Sequence, residues 1–180
     1  MSIRKTLSIV VCSFIAVVTI SSCQENRVQS NLEQTLDGII GKYGKWEDND
    51  LATESFKKEL VSLFNDSKGK NFQTFYNGEL KFDDIVDTPE GHTNNTDTVV
   101  VRFNGSITCL TPNDNDAWIL FKVLGKLTKD VAIKLNRETG YKIDGNILGF
   151  IEDVNIDRII ARIDMGMIMM DEIHIIPSQQ

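Results

Sequence analysis

The amino-acid sequence predicts an α+β fold, in which two N-terminal helices precede a curled antiparallel meander sheet with a half-barrel or barrel-like shape. Apolar residues recur at helical spacing up to about residue 66. From Phe72 onward they alternate with polar residues, as in strands with one buried face. Glycines on the apolar positions of the predicted strands favour bends, so the sheet is expected to curl. These glycines are Gly105, Gly125, Gly145 and Gly149.

Two N-terminal segments have the apolar period of amphipathic helices. The second helix, over residues 51–66, has the longer apolar stripe, and Asp50 or Thr53 can cap its start. The stripe residues are Leu32, Leu36, Ile39 and Ile40 in the first helix, and Leu51, Phe56, Leu60, Val61, Leu63 and Phe64 in the second.

The first strands are predicted to form a hairpin at Asn77-Gly78. An Asn-Gly pair is typical of the two-residue turns that join antiparallel strands. With the turn at this position, Phe75, Leu80 and Phe82 share one face of the hairpin.

Long strands are predicted beyond this hairpin. Residues 99–109 keep their apolar side chains on one face only if the strand runs straight through Asn104-Gly105 instead of turning there. The same reasoning favours a continuous strand through Asp144-Gly145. Residues 116–126 fit either a strand or a helix by periodicity, and we favour the strand.

The C-terminal part continues the alternation on odd-numbered positions. Residues 131–135 are predicted as strand, and the last long strand is expected to carry Met165, Met167 and Met169 on one apolar side. The complete sheet, of roughly five to seven strands, would wrap either the helix at residues 51–66 or a cavity.

The first residues have the three zones of an export signal. Arg4 and Lys5 precede an apolar run over residues 7–20, and two small residues, Ser21 and Ser22, follow it. The run is short for a membrane span, which needs about 20 residues. An export signal is therefore favoured over a transmembrane anchor.

The sequence Ile20-Ser21-Ser22-Cys23 resembles the lipobox of bacterial type II signal peptides. The resemblance implies that Cys23 receives a diacylglyceryl group on its sulfur, becomes the N-terminus by cleavage and is then N-acylated. Residues 1–22 would be the signal peptide, 23–30 a lipidated tether and 31–180 a single globular domain. The implied location is the bacterial cell envelope, and we expect the anchor to lie in the outer membrane. Whether the protein faces the periplasm or the cell surface is left open.

Charge and cysteine content restrict the function further. Cleavage would remove two basic residues and no acidic one, changing the formal net charge from −7 to −9. An acidic body of this kind argues against a nucleic-acid partner. Loss of Cys12 with the signal and lipidation of Cys23 would leave only Cys109, so no internal disulfide is expected.

The predicted apolar face of the sheet contains the residues of a speculative ligand pocket. Methionine is unbranched and adaptable, and inward-facing glycines leave room beside it. A fully packed core is the alternative interpretation of the same pattern. The predicted pocket residues are Met165, Met167, Met169, Phe103 and Cys109.

Other groups suit metal binding or catalysis less well. The methionines with His174 could hold copper, and the acidic residues 83–97 could hold calcium, but neither has the ligand spacing of a known site. Glu79, Asp83 and Asp84 could supply a carboxylate pair for glycoside cleavage. No zinc, serine-nucleophile or phosphate-loop motif is present, and we expect no metal and no cofactor.

These observations favour a non-catalytic envelope lipoprotein that binds a small apolar molecule or an envelope protein partner. Two alternatives remain open. One is a cell-surface hydrolase that uses the acidic-loop carboxylates, and the other is an inhibitor or immunity-type lipoprotein whose acidic surface blocks a basic partner.

Overall fold

The computed structural model describes residues 30–43, 49–86, 97–110, 116–158 and 161–177. The predicted signal peptide, Cys23 and nearly all of the predicted tether lie outside the described residues. Most of the acidic loop at 83–97 does so as well.

The two predicted N-terminal helices are confirmed. A capping box starts the first of them: the Ser30 hydroxyl accepts from the Glu33 amide at 3.3 Å, and the Glu33 carboxylate accepts from the Ser30 amide at 2.7 Å. The Asn49 side chain caps the second. The helices are α1 (Asn31–Lys42), α2 (Asp50–Asn65), α3 (Phe72–Phe75) and α4 (Lys129–Ala132).

Seven strands form one mixed sheet, which is curled but not closed. Its strand order is β5-β6-β3-β2-β1-β4-β7. The strands are β1 (Leu80–Val86), β2 (Thr98–Leu110), β3 (Asp116–Thr128), β4 (Gly140–Asp144), β5 (Ile147–Asp157), β6 (Arg162–Glu172) and β7 (His174–Ile176).

The connection between β4 and β5 explains the curl. β5 is one edge of the sheet and β4 lies next to the other edge, yet only Gly145 and Asn146 separate them along the chain. In the same way, only Ile173 separates β6 from β7. The two edges must therefore approach each other, which requires a strongly curled sheet.

Both N-terminal helices pack inside this curl and share one hydrophobic core with the sheet. Phe64 of α2 is fully buried at its centre. The Phe64 ring contacts Phe150 with the ring centroids 5.0 Å apart, and Phe75 and Phe121 with centroids 5.9 Å apart. The sheet was predicted to wrap either the helix at residues 51–66 or a cavity. In the described residues it wraps helices.

The strand predictions are confirmed where one long strand explains the alternation. β2 runs straight through Asn104-Gly105, and residues 116–126 belong to β3. At Gly145 the prediction is wrong, because its φ of 149° separates β4 from β5 and its carbonyl accepts a 2.8 Å hydrogen bond from the Phe72 amide.

The predicted hairpin at Asn77-Gly78 is wrong. The chain before it forms α3, capped by the Asn71 side chain, and a strand begins only at Leu80. The Tyr76 ring fills the space where a Gly78 side chain would lie. This ring is buried, and its hydroxyl is 3.2 Å from the Ser106 carbonyl, to which it donates. Gly78 therefore leaves room for the Tyr76 ring, and Asn77-Gly78 does not form a hairpin turn.

Two further predictions need correction. Residues 131–135 are not a strand, because the chain turns through α4 and leaves Val131 and Ile133 exposed. The sheet is also not wholly antiparallel, since β6 pairs in parallel with β3. Alternation reports only which face is buried and carries no information on strand direction.

Candidate functional site

The five residues of the predicted ligand pocket do not share one surface. Phe103, Cys109 and Met165 are buried on the inner face of the sheet. Met167 and Met169 are only half-buried, while Ile168 and Met170 between and beyond them are buried. The prediction that alternation places Met165, Met167 and Met169 on one face is therefore wrong.

Gly166 is the cause of this exchange of faces. Its φ is 117°, and the β3–β6 register shifts between the pairs Leu120–Asp164 and Lys122–Met167. One extra residue in β6 at this bulge moves the side chains of residues 167–170 to the opposite face, up to a second register shift between Met169 and Glu172.

Cys109 lies in the dry interior between β2 and α1. Burial, together with the neighbouring Asp37 carboxylate, raises the pKa of its thiol to about 12. The thiol is therefore protonated at neutral pH and behaves as a small apolar core residue.

A groove lies on the outer face of the sheet, and we call it the outer groove. Its volume is about 880 Å³, and β1, β2, β3, β6 and β5 all contribute to it. It lies on the face away from α1 and α2. The charged residues that line it are Lys81, Lys122, Arg162, Asp153 and Asp164.

Strand register aligns the lining of the outer groove in a row across five strands. Lys81 pairs with Asn104, and Asn104 pairs with Lys122. Lys122 pairs with Met167, and Met167 pairs with Ile151. Side chains at paired positions project from the same face as neighbours, so the row passes from two lysines around an amide to two apolar side chains.

A second row lies beside the first and has a different composition. Ser106 pairs with Leu120, and Leu120 pairs with Asp164. The Asp164 carboxylate lies 3.2 Å from the Arg162 guanidinium, which largely neutralises both charges. This part of the groove therefore offers a hydroxyl and an apolar side chain more than a net charge.

Two of the three carboxylates considered for glycoside cleavage form surface ion pairs. Asp83 pairs with Arg102, and the Asp84 carboxylate lies 3.6 Å from the Arg137 guanidinium. Glu79 is exposed next to Gly140. These arrangements do not favour a paired acid and base.

No family model, curated protein or solved structure matches this chain. Within the described ranges, no group of three or more His, Cys, Asp or Glu side chains is arranged to hold a metal ion. None of the described helices is long and apolar enough to cross a membrane.

Sequence reasoning missed the residues of the outer groove, although one signal was present. In β3, apolar residues occupy both parities: Trp118, Leu120 and Leu124 lie on the outer face, opposite the buried odd-numbered positions. Apolar side chains on both faces of one strand indicate a second covered or binding surface. The lysines gave no such signal, because their proximity depends on strand register.

Proposed function

We propose that this chain is a lipid-anchored protein of the bacterial envelope that binds a small molecule in the outer groove without catalysing a reaction. The anchor rests on the lipobox-like Ile20-Ser21-Ser22-Cys23 after a charged and apolar leader. Several acyl chains on one N-terminus make membrane attachment stable, whereas a single chain is marginal.

The anchor is tested by labelling cells with radioactive palmitate. The wild-type protein and Cys109→Ser should both carry the label and partition into detergent, because Cys109 is buried and keeps its proton. Cys23→Ser should lose the label and leave the membrane fraction. A Cys23→Ser protein that retains the label would contradict the anchor.

The outer groove is the observation that carries the binding function. Small-molecule sites are concave, occupy about 300–1,000 Å³ and combine apolar walls with a few polar groups. The groove has this size, and Leu120, Met167 and Ile151 supply its apolar wall. The inner face is packed against α1 and α2 in one hydrophobic core, whereas the outer groove is open to a ligand.

Native mass spectrometry of the purified protein tests the groove. We expect an adduct in the wild-type protein that Ser106→Trp abolishes, because an indole at this lining position would fill the groove. Thr108→Trp is the matched control, since Thr108 is exposed two residues further along the same face of β2 and does not line the groove. An adduct that survives Ser106→Trp would contradict the proposal.

A protein partner of the envelope is the second candidate, and Trp118 favours it. Trp118 is 54% exposed on the outer face and pairs in register with Arg162. Tryptophan and arginine are the residue types that contribute most to protein interfaces. A polypeptide would cover more of the face than a small molecule, so both Ser106→Trp and Thr108→Trp should displace it.

A further inference from the structure

We propose that the outer groove selects a ligand that joins an anionic head to a short apolar chain. This proposal rests on the small-molecule function above and specifies the chemical class of its ligand. The head would bind between Lys81 and Lys122, and the chain would lie along Met167 and Ile151.

The two lysines flank one amide. Lys81 and Lys122 are the register partners of Asn104 on its two sides, and all three side chains are exposed on the outer face. Neighbouring strands lie about 4.8 Å apart, so the two lysine backbones are separated by roughly 10 Å across Asn104. Long lysine side chains reach across such a distance to one oxyanion, to which the Asn104 amide could also donate.

Neither lysine at this end of the groove forms an ion pair within the described residues. The Lys81 ammonium donates to the Glu138 carbonyl at 2.8 Å, which satisfies one of its three protons and leaves its charge in place. Lys122 has no ion pair within the described part of the chain. Arg162, the third cation of the groove, is already paired with Asp164.

The two carboxylates that line the groove lie on the strands beyond Lys122. Asp164 belongs to β6, the neighbour of β3, and is paired with Arg162, whereas Asp153 belongs to β5 at the edge of the sheet. In a protein with a formal net charge of −7, two neighbouring lysines that have no ion pair in the described residues are a local exception. They would attract an anion that the remaining surface repels.

Apolar side chains continue the row away from the lysines. Met167 pairs with Lys122 and is half-buried, and Ile151 pairs with Met167 and is 53% exposed. The strip from Lys122 to Ile151 crosses two strand spacings, or about 10 Å. Methionine adapts to chains of different shape, and covering Ile151 would remove an exposed apolar side chain from water.

Calorimetry on the full lipidated protein, in nanodiscs of zwitterionic phosphatidylcholine, tests this selectivity. The probes are hexyl phosphate, hexyl glucoside, hexyltrimethylammonium and inorganic phosphate, with empty nanodiscs as the blank. We expect hexyl phosphate to bind on the order of tenfold more tightly than the other three. The preference should weaken as salt concentration rises, because the lysines are exposed to solvent.

Lys122→Gln and Lys126→Gln form the matched pair of variants. Both lysines are exposed on the same face of β3, but Lys126 does not line the outer groove, and its ammonium lies 3.6 Å from the Asp171 carboxylate. We expect Lys122→Gln to weaken hexyl phosphate binding on the order of tenfold and Lys126→Gln to leave it unchanged. Equal losses in the two variants would overturn the proposal, since the attraction would then be general surface charge.

Other outcomes separate the ligand class from the underlying function. If hexyl glucoside binds as tightly as hexyl phosphate and Ser106→Trp abolishes both, the groove function stands and the anionic head is wrong. If inorganic phosphate binds as tightly as hexyl phosphate, the apolar part is wrong. If no probe binds and the native protein carries no adduct, both proposals fail.

Discussion

The two faces of β3 differ in what holds their side chains. The inner face carries Ala117, Ile119, Phe121 and Val123, all buried in the core shared with α1 and α2. The outer face has no helix over it in the described residues and carries Trp118, which is exposed, next to half-buried and charged side chains.

The inner face could be predicted from a single strand, whereas the outer face depends on how several strands align. Burial on the inner face follows from alternation within one strand, because a continuous apolar stripe must be covered. The outer groove follows from the alignment of five strands, which brings together Lys81 and Lys122 from distant parts of the chain. Stability is therefore expected to depend on the inner face, and ligand binding on the outer.

We expect the strongest contrast in stability between one isoleucine on each face. Ile119→Ala removes a fully buried side chain from the inner face, and should lower the free energy of unfolding by about 2–5 kcal/mol, since a cavity remains. Ile151→Ala, on the outer face, should lower it by less than about 1 kcal/mol. Urea unfolding of both variants measures the contrast.

The same two variants should also differ in ligand binding. Ile151→Ala should weaken binding of hexyl phosphate, whereas Ile119→Ala should leave binding unchanged under conditions in which the variant stays folded. Equal destabilisation by the two variants would mean that the outer face is covered in the native protein, and that the difference between the faces is wrong.

The local period of apolar residues, helical in some segments and alternating in others, was enough to predict much of the fold. It gave α1, α2, the long β2 through Gly105 and the buried face of β3, because each depends on a local apolar period. It could not give the parallel pairing of β6 with β3, since strand direction and register depend on contacts between distant segments.

The placement of Met167 and Met169 on the inner face was wrong for a different, local reason. Met167 and Met169 left the inner face because one bulge at Gly166 changed the parity of β6. A glycine in a strand permits such a bulge but does not require it: Gly105 lies within the uninterrupted β2–β3 ladder, where Phe121 fills the missing side-chain space. The sequence alone does not distinguish these two uses of glycine.

Gly166 therefore offers the second prediction. Its φ of 117° disfavours any side chain, and a Cβ would collide with the backbone of Ile151 and Asp153. Gly166→Ala should lower the free energy of unfolding by about 1–3 kcal/mol, as measured by urea denaturation. Gly149→Ala is the control, because a Cβ there meets no atom within 4 Å, and its effect should stay within about 0.5 kcal/mol.

Methionine oxidation checks the face assignment on which this prediction depends. Mild peroxide treatment followed by mass spectrometry should oxidise half-buried Met167 and Met169 before fully buried Met165. Equal rates at the three positions would contradict a change of face at Gly166.

The weakest effect per pH unit should come from the exclusion of water from the Cys109 thiol on the inner face. Burial raises the pKa of Cys109 to about 12 in the folded protein, whereas an unfolded cysteine has a pKa of about 8.5. Between these values the unfolded chain releases a proton that the folded protein keeps, so stability falls as pH rises from about 8.5 toward 12. The slope from this thiol alone is at most about 1.4 kcal/mol per pH unit.

Cys109→Ala isolates that slope from the other groups that titrate in alkali. Urea unfolding of the wild-type and Cys109→Ala proteins from pH 7 to pH 10.5 should give a constant difference below about pH 8.5. Above it, the stability of the wild-type protein should fall faster. Parallel curves would mean that water reaches the thiol, because desolvation is the largest cause that disfavours the thiolate in the folded state, ahead of the Asp37 carboxylate. The inner face would then be open to solvent beside α1, and its contrast with the outer face would be smaller than burial indicates.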